Sequence, residues 1–197
     1  MPKPKLPILF ILALVSTSTL QSCAVIATGA IITTVVVSQD RRSLGTVIDD
    51  NLIESKIREE IHKNLSLRDE TKNRISITSV NDIVLLTGET ITRANIDMIL
   101  EATRRVPKVR QVVNEIKIMS PLSGTVIATD SWITAKAKSK LVKTAGVPDA
   151  SRINVQTVNG VVYMMGLVTH EVGAAATNEV RTLSGVTQVV KVFEYTD

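Results

Sequence analysis

From Asp50 onward the apolar positions follow two periods in turn. Ile53, Ile57, Ile61 and Leu65 recur every four residues, which places their side chains on one face of a helix. Ile75 and Ile77 then alternate with Ser76 and Thr78, the pattern of a strand with one buried face. Asn81-Asp82 is a turn pair, and a second strand, Ile83–Thr87, runs up to a glycine. A further helical stretch puts Ile96, Ile99, Leu100 and Thr103 on its inward side, and a last strand spans Val109–Ile118. The predicted order is helix, strand, strand, helix, strand. The hairpin is antiparallel. The crossover from second to third strand contains a helix and favours parallel, right-handed pairing. Both helices then cover one face of a three-stranded sheet. The other face is left for a sister domain or for residues of the N-terminal segment.

The same order occurs twice. RISITSVNDIVLLTGETIT from Arg74 matches RINVQTVNGVVYMMGLVTH from Arg152 at an offset of 78. DNLIESKIREEI from Asp50 matches DSWITAKAKSKL from Asp130, and VRQVVNEI from Val109 matches VTQVVKVF from Val186. Ile133, Ala137 and Leu141 repeat the helical face, Asn159-Gly160 repeats the turn pair, Val161–Met165 repeats the second strand, and Ala174–Ala176 makes the second helix small enough for closer packing. A last strand is expected over Val186–Tyr195. Ordered self-similarity of this kind marks two copies of one small unit. Asn-Gly suits a two-residue hairpin because both residues tolerate positive φ. The chain is α+β: two tandem αββαβ domains, each a three-stranded mixed sheet covered by two helices.

The N-terminal region reads differently. Lys3 and Lys5 precede an apolar run, Leu6 to Val15, and Ser16 to Thr19 end it. This is the layout of a secretory signal, and its apolar run of about ten residues is too short to cross a bilayer as a helix. Leu20-Gln21-Ser22-Cys23 resembles the bacterial lipobox, with Gln21 a departure from its usual small or β-branched residue. The resemblance implies a diacylglyceryl group on the Cys23 sulfur, cleavage after Ser22 and acylation of the new amine. These covalent acyl groups are the only non-protein component expected; no cofactor or metal is implied. Several acyl chains on one cysteine hold a protein at a membrane, since each buried methylene contributes about 0.8 kcal/mol. Ala24, where an Asp would signal otherwise, favours outer-membrane sorting by the same resemblance. No charge lies between Lys5 and Asp40, so an uncleaved transmembrane anchor over Leu6–Val37 is the alternative. Thr17–Gln21 and Thr28–Gly29 interrupt that run. The divisions expected are a signal peptide over 1–22, a lipidated tether over 23–45, and folded domains over 46–119 and 125–197.

Composition narrows the function. With one Trp, two Tyr and two Phe, the cores are aliphatic. The net charge of +4 includes Lys3 and Lys5. The mature chain is nearer +2, which gives no argument for nucleic-acid binding, and no nucleic-acid partner is expected. Cys23 is the only cysteine. His62 and His170 fall in different copies without counterparts, and His62 reads as a solvated helix residue. A nucleophile needs a positioned base and orienter, and none is present. No zinc pattern, P-loop or dinucleotide fingerprint occurs. Asp49-Asp50 reads as the charged start of a helix. The chain is therefore expected not to be an enzyme.

The two copies differ most in their first helices. Copy one mixes Glu54, Glu59 and Glu60 with Lys56, Arg58 and Lys63; copy two carries Lys136, Lys138, Lys140 and Lys143 with no acid after Asp130. At about 100° per residue, Trp132, Lys136, Ser139 and Lys143 share one side, with Lys140 close by. One reading is an interface, with the indole among lipid headgroups and ammonium groups on anionic phosphate, each lysine contributing about 1 kcal/mol. The other is a solvated face, with Trp132 packed against the neighbouring copy.

The αββαβ order, the VNGVVYMMGLVT hairpin and the closing SGVTQVV resemble the BON domain of bacterial envelope proteins. DRRSLGTVIDD after a lipidated cysteine, followed by TDSWITAKAKSKL, resembles the dual-BON outer-membrane lipoproteins. Lys108 departs from the family's usual Gly before the last strand, kept here as Gly185, and Lys191 stands where copy one has Asn114. The resemblance implies phospholipid binding and favours the interface reading: an anionic phospholipid membrane contacted through Trp132, Lys136, Ser139, Lys140 and Lys143, from the periplasmic face of the outer membrane, in support of envelope integrity. The rival is an adaptor for an envelope protein or peptidoglycan, with lipidation setting location alone. The sequence leaves the oligomeric state open.

Overall fold

The computed structural model describes residues 44–144 and 152–197. Cys23, the signal and the tether as far as residue 43 lie outside the described residues; residues 44 and 45, expected in the tether, belong to the first helix. Copy one consists of α1 (Leu44–Lys63), β1 (Asn73–Val80), β2 (Ile83–Thr90), α2 (Arg93–Arg104) and β3 (Gln111–Ile118). Copy two consists of α3 (Gly124–Lys143), β4 (Asn154–Val158), β5 (Val161–Val168), α4 (His170–Arg181) and β6 (Gln188–Tyr195). Each sheet runs in strand order, the hairpin antiparallel and the final pair parallel, as the element order requires. No described helix is long and apolar enough to cross a membrane.

Each copy buries its helices on one face of its sheet. Ile53, Ile57 and Ile61 of α1 and Ile96 and Ile99 of α2 pack on Ile77, Val84, Leu86 and Ile116. In copy two, Ile133, Ala137 and Leu141 pack with Val155, Val162, Met164, Ala176 and Val180. The opposite faces meet each other: Val80, Ile83 and Leu85 of copy one close against Tyr163 and Met165 of copy two. The sister domain thus takes the second face, which explains why every residue of β2 is buried. The architecture is helix, sheet, sheet, helix in layers.

The turns follow their sequences. Asn81 and Asp82 have φ of 53° and 63°, and Asn159 and Gly160 have 51° and 74°, the paired positive values that match the twist of a two-residue hairpin. Lys108 holds φ at 72° where copy two has Gly185 at 94°. The backbone at this turn is left-handed in both copies, and the lysine adopts it without a glycine. Thr92 and Thr169 cap α2 and α4, accepting from the main-chain N–H of Asn95 and Val172, as threonines at this position do.

Three expectations need correction. Leu65 does not extend the α1 face: the helix ends at Lys63, a short turn over Leu65–Leu67 follows, and Leu65 is 74% exposed while Leu67 is buried instead. Asp49-Asp50 does not open the helix, which begins at Leu44. The Asp50 carboxylate instead ties the β1–β2 turn, accepting from Ser79 Oγ at 2.7 Å and from the main-chain N–H of Asn81 and Asp82 at 2.9 and 3.0 Å. Asp130 does the same in copy two, accepting from the N–H of Asn159 and Gly160 at 2.7 and 2.9 Å. The last strands begin at Gln111 and Gln188, two residues later than the apolar pattern suggests, because Val109 and Val186 are spent in the turn before them.

Candidate functional site

The lysine face stands on α3, whose inward stripe of Ile133, Ala137 and Leu141 is fully buried. That stripe fixes the rotation of the helix and so turns its flank outward. Trp132 is 56% exposed and does not pack against copy one. The Lys136 ammonium sits 4.1 Å from the centroid of the indole ring, close enough for attraction by the ring's electron-rich face. Ser139 and Lys143 are exposed on the same helix. Lys140 is engaged: its Nζ lies 3.2 Å from Glu179 on α4. Val142, 69% exposed, adds an apolar side chain that sequence periodicity did not single out. The structure thus brings together all five predicted residues on one exposed helix, with one of them ion-paired.

Copy one carries a muted version of the same surface. Asp50 and Asp130 do the same task, so Leu52 aligns with Trp132 and Lys56 with Lys136. Leu52 is 49% exposed. Further along, Glu59 and Glu60 replace Ser139 and Lys140, and both lie within 4 Å of the Lys63 ammonium, Glu60 at 2.5 Å. Contact with Glu60 is the main cause that holds the Lys63 pKa above its ordinary value. Lys63 of α1 is paired with acids of its own helix, whereas α3 carries no acid after Asp130 and its Lys140 pairs with Glu179 of α4.

A second polar region lies at the seam between the copies. Gln156 of β4 accepts from Thr78 Oγ at 3.0 Å and donates to Thr87 Oγ. Arg110 donates to the Glu194 carboxylate at 2.6 Å, and Asn81 Nδ2 donates to the same oxygen at 2.7 Å. The Arg110 contact holds the Glu194 pKa below its ordinary value, against the opposing effect of burial. Beside these ties sits Glu89, 1% exposed, with neither carboxylate oxygen hydrogen-bonded. Burial pushes its pKa up, reinforced by the charge of Asp130. The Leu122 main-chain N–H, short of hydrogen-bond geometry, and the Arg74 charge oppose that shift. Tyr163, facing the same seam, is pushed up to about 12, first by burial and then by Glu115 and Glu89. Sequence reading missed Glu89. The available signal was its partner in the repeat, Leu167: a charge where the other copy is apolar.

The described residues contain no cluster of His, Cys, Asp and Glu suited to a metal ion. His62 lines a cleft on copy one beside Arg68 and Glu70. His170 Nδ1 lies 2.8 Å from the Asp197 carboxylate, and its ring stacks on Tyr195 at 3.8 Å. Among the described residues, no hydrogen bond joins either histidine ring to a serine, threonine or cysteine side chain.

Two face-to-face αββαβ units define a tandem-repeat α+β protein. The chain belongs to the BON domain family, whose model matches residues 49–120 and 129–197. Among relatives, it is 35% identical over 198 residues to the outer membrane lipoprotein DolP of Haemophilus influenzae, covering 100% of this chain and 98% of that protein. It is 32% identical over 156 residues to a 21 kDa hemolysin of Actinobacillus pleuropneumoniae, covering 79% of each.

Proposed function

We propose that this chain is an outer-membrane lipoprotein, held by acyl groups on Cys23 and facing the periplasm, whose second BON domain docks on anionic phospholipid. Its role is non-enzymatic, in support of envelope integrity. The outer-membrane assignment is supported by full-length similarity to a relative named as an outer membrane lipoprotein and by the lipobox resemblance. The observation that carries the docking reading is the exposed Trp132 with Lys136 against its ring, on a helix that also exposes Lys143. An exposed indole flanked by ammonium groups fits the headgroup layer, where the ring is half solvated and the charges meet phosphate. Copy one, with Leu52 for the tryptophan and Lys63 paired to Glu59 and Glu60, serves as spacer or protein contact.

Liposome sedimentation tests this. A form lacking residues 1–39 should bind vesicles containing anionic phospholipid and not neutral ones, with binding falling as salt rises. Trp132→Ala combined with Lys136→Glu should lower the bound fraction about tenfold, since the change removes an anchor and reverses a charge. Unchanged binding would remove the docking face from the account. Crosslinking in cells that captured one dominant protein, insensitive to Trp132 substitution, would favour the adaptor reading.

A further inference from the structure

Residues of both copies line a half-open cavity of about 590 Å³ at the seam, within the range of about 300–1,000 Å³ common for small-ligand sites. Its charges are sorted. Arg58 of α1 and Arg74 of β1 are exposed, and among the described residues no ion pair or hydrogen bond engages either guanidinium. Glu89 lines the same cavity but is almost wholly buried, with both oxygens unpartnered. Asp130 also lines it, its oxygens taken by the β4–β5 turn. The remaining wall is neutral and mixed, with polar Asn154 and Gln156 beside apolar Ile75, Ile127, Val155 and Val158. The cavity therefore carries acid within and base at its exposed side.

Each half of that pattern asks for a different group. A carboxylate with two empty oxygens is satisfied by a donor without acceptors, and a primary ammonium offers three such donors. Exposed guanidiniums are satisfied by an oxyanion, which their planar forks grip through paired hydrogen bonds. A purely anionic ligand would leave Glu89 facing a like charge. A purely cationic one would sit beside two arginines. We propose that the seam cavity binds a small zwitterion, its ammonium on Glu89 and its phosphate or carboxylate on Arg58 and Arg74. The site is distinct from the Trp132 face and does not depend on membrane docking. It is built once: the repeat replaces Glu89 by Leu167 and Arg58 by Lys138. The fold itself requires no acid at this position. The same chemistry occurs in a phosphoethanolamine headgroup and in a free amino acid.

Isothermal titration calorimetry on the full acylated chain in nonionic detergent tests this. The probes are O-phosphoethanolamine and β-alanine, with ethanolamine and glycerol 3-phosphate as single-charge comparators. At least one zwitterion should bind about tenfold more tightly than either comparator, a difference of about 1.4 kcal/mol. Tighter binding of O-phosphoethanolamine assigns a phosphate headgroup; tighter binding of β-alanine assigns a free amino acid. Arg58→Gln with Arg74→Gln should reduce affinity about tenfold or more. Glu89→Leu should bring the zwitterion down to the level of glycerol 3-phosphate, and Glu89→Gln should do the same with the side-chain volume kept. Thermal unfolding of each variant shows that it is folded. No heat at millimolar zwitterion, equal affinity for all four probes, or unaltered binding in the folded variants overturns the proposal.

Discussion

The two copies share a backbone plan and fill it differently. Where β2 meets α2, copy one buries a polar network: Asn73 Oδ1 accepts from Thr90 Oγ at 2.6 Å and from Asn95 Nδ2 at 2.7 Å, while Asn73 Nδ2 donates to the Ser66 carbonyl at 2.9 Å. In copy two Thr90 and Asn95 correspond to Val168 and Gly173. There the space is taken by rings: a methyl at Gly173 would lie 3.1 Å from Phe193 and 3.3 Å from Tyr195. One fold accepts either solution, because a fully hydrogen-bonded polar cluster and a close-packed apolar one both leave no orphan group and no void. The lesson extends to the surfaces. Folding constrains the inward stripe of α1 and α3 equally, and their outer flanks have diverged in charge.

The sharpest way to break the equivalence is at a paired glycine. Gly88 has φ of +112°, and a Cβ there would come within 1.9 Å of the Arg74 carbonyl oxygen. Gly88→Ala should force β2 off β1 and cost more than about 4 kcal/mol. Its counterpart Gly166 lacks the positive φ, and a Cβ would stand 2.9 Å from the Arg152 carbonyl oxygen. Gly166→Ala should cost about 2 kcal/mol. Denaturant unfolding of both variants measures the difference; equal losses would mean that the two hairpins are not as unequal as their geometry.

The turn clamps come next. Asp50→Ala leaves three donors without an acceptor at a position 3% exposed and should cost about 3 kcal/mol. Asp130→Ala frees two main-chain donors and should cost about 2 kcal/mol. Equal and small effects would show that the Asn-containing turns hold themselves.

The smallest effect is a gain, and it is pH-dependent. Glu89 has a folded pKa above its ordinary value of 4.5. The folded state therefore binds the proton more tightly than the unfolded one. Its penalty is absent below the ordinary pKa, grows as pH rises through the raised one, and is fully present above it. The charged groups facing it are Arg74 and Asp130, with Lys117 paired to it across the sheet and Tyr163 from the other copy. Glu89→Leu, the residue copy two already uses, should raise stability at pH 8 by about 1–2 kcal/mol. The advantage should shrink toward pH 4, as measured by thermal unfolding across that range. A variant equally stable or less stable at pH 8 would mean that the carboxyl has a partner in solution.

Much of this was legible in the chain. The periods of Ile53, Ile57 and Ile61 and of Ile75 and Ile77 are set by burial on one face, and burial on one face is a local pattern. Asn-Asp and Asn-Gly announced positive φ because few residues adopt it easily, and the repeat showed Lys108 standing in for a glycine. The flank holding Trp132, Lys136 and Lys143 also followed from helical geometry, since a helix's own repeat fixes which residues share a side. Whether Trp132 turned outward did not follow, because both solvent and a neighbouring copy were open to it.

What only the tertiary structure decided involves residues distant along the chain. The start of α1 at Leu44 moved Asp50 into the helix body, where its carboxylate reaches a turn about thirty residues on. The sheets met face to face, so β2 was buried on both sides and its alternation erased. The hairpin register relates Arg74 to Glu89 across β1 and β2 of copy one, but no period relates either to Arg58 on α1 or to the residues of copy two that face them. Residues of copy two, Asp130 and Gln156 among them, line the other side of the gap, and that opposing wall leaves no periodic trace in copy one. Local pattern determined the elements; the long-range meeting of two sheets decided which charges were left without partners.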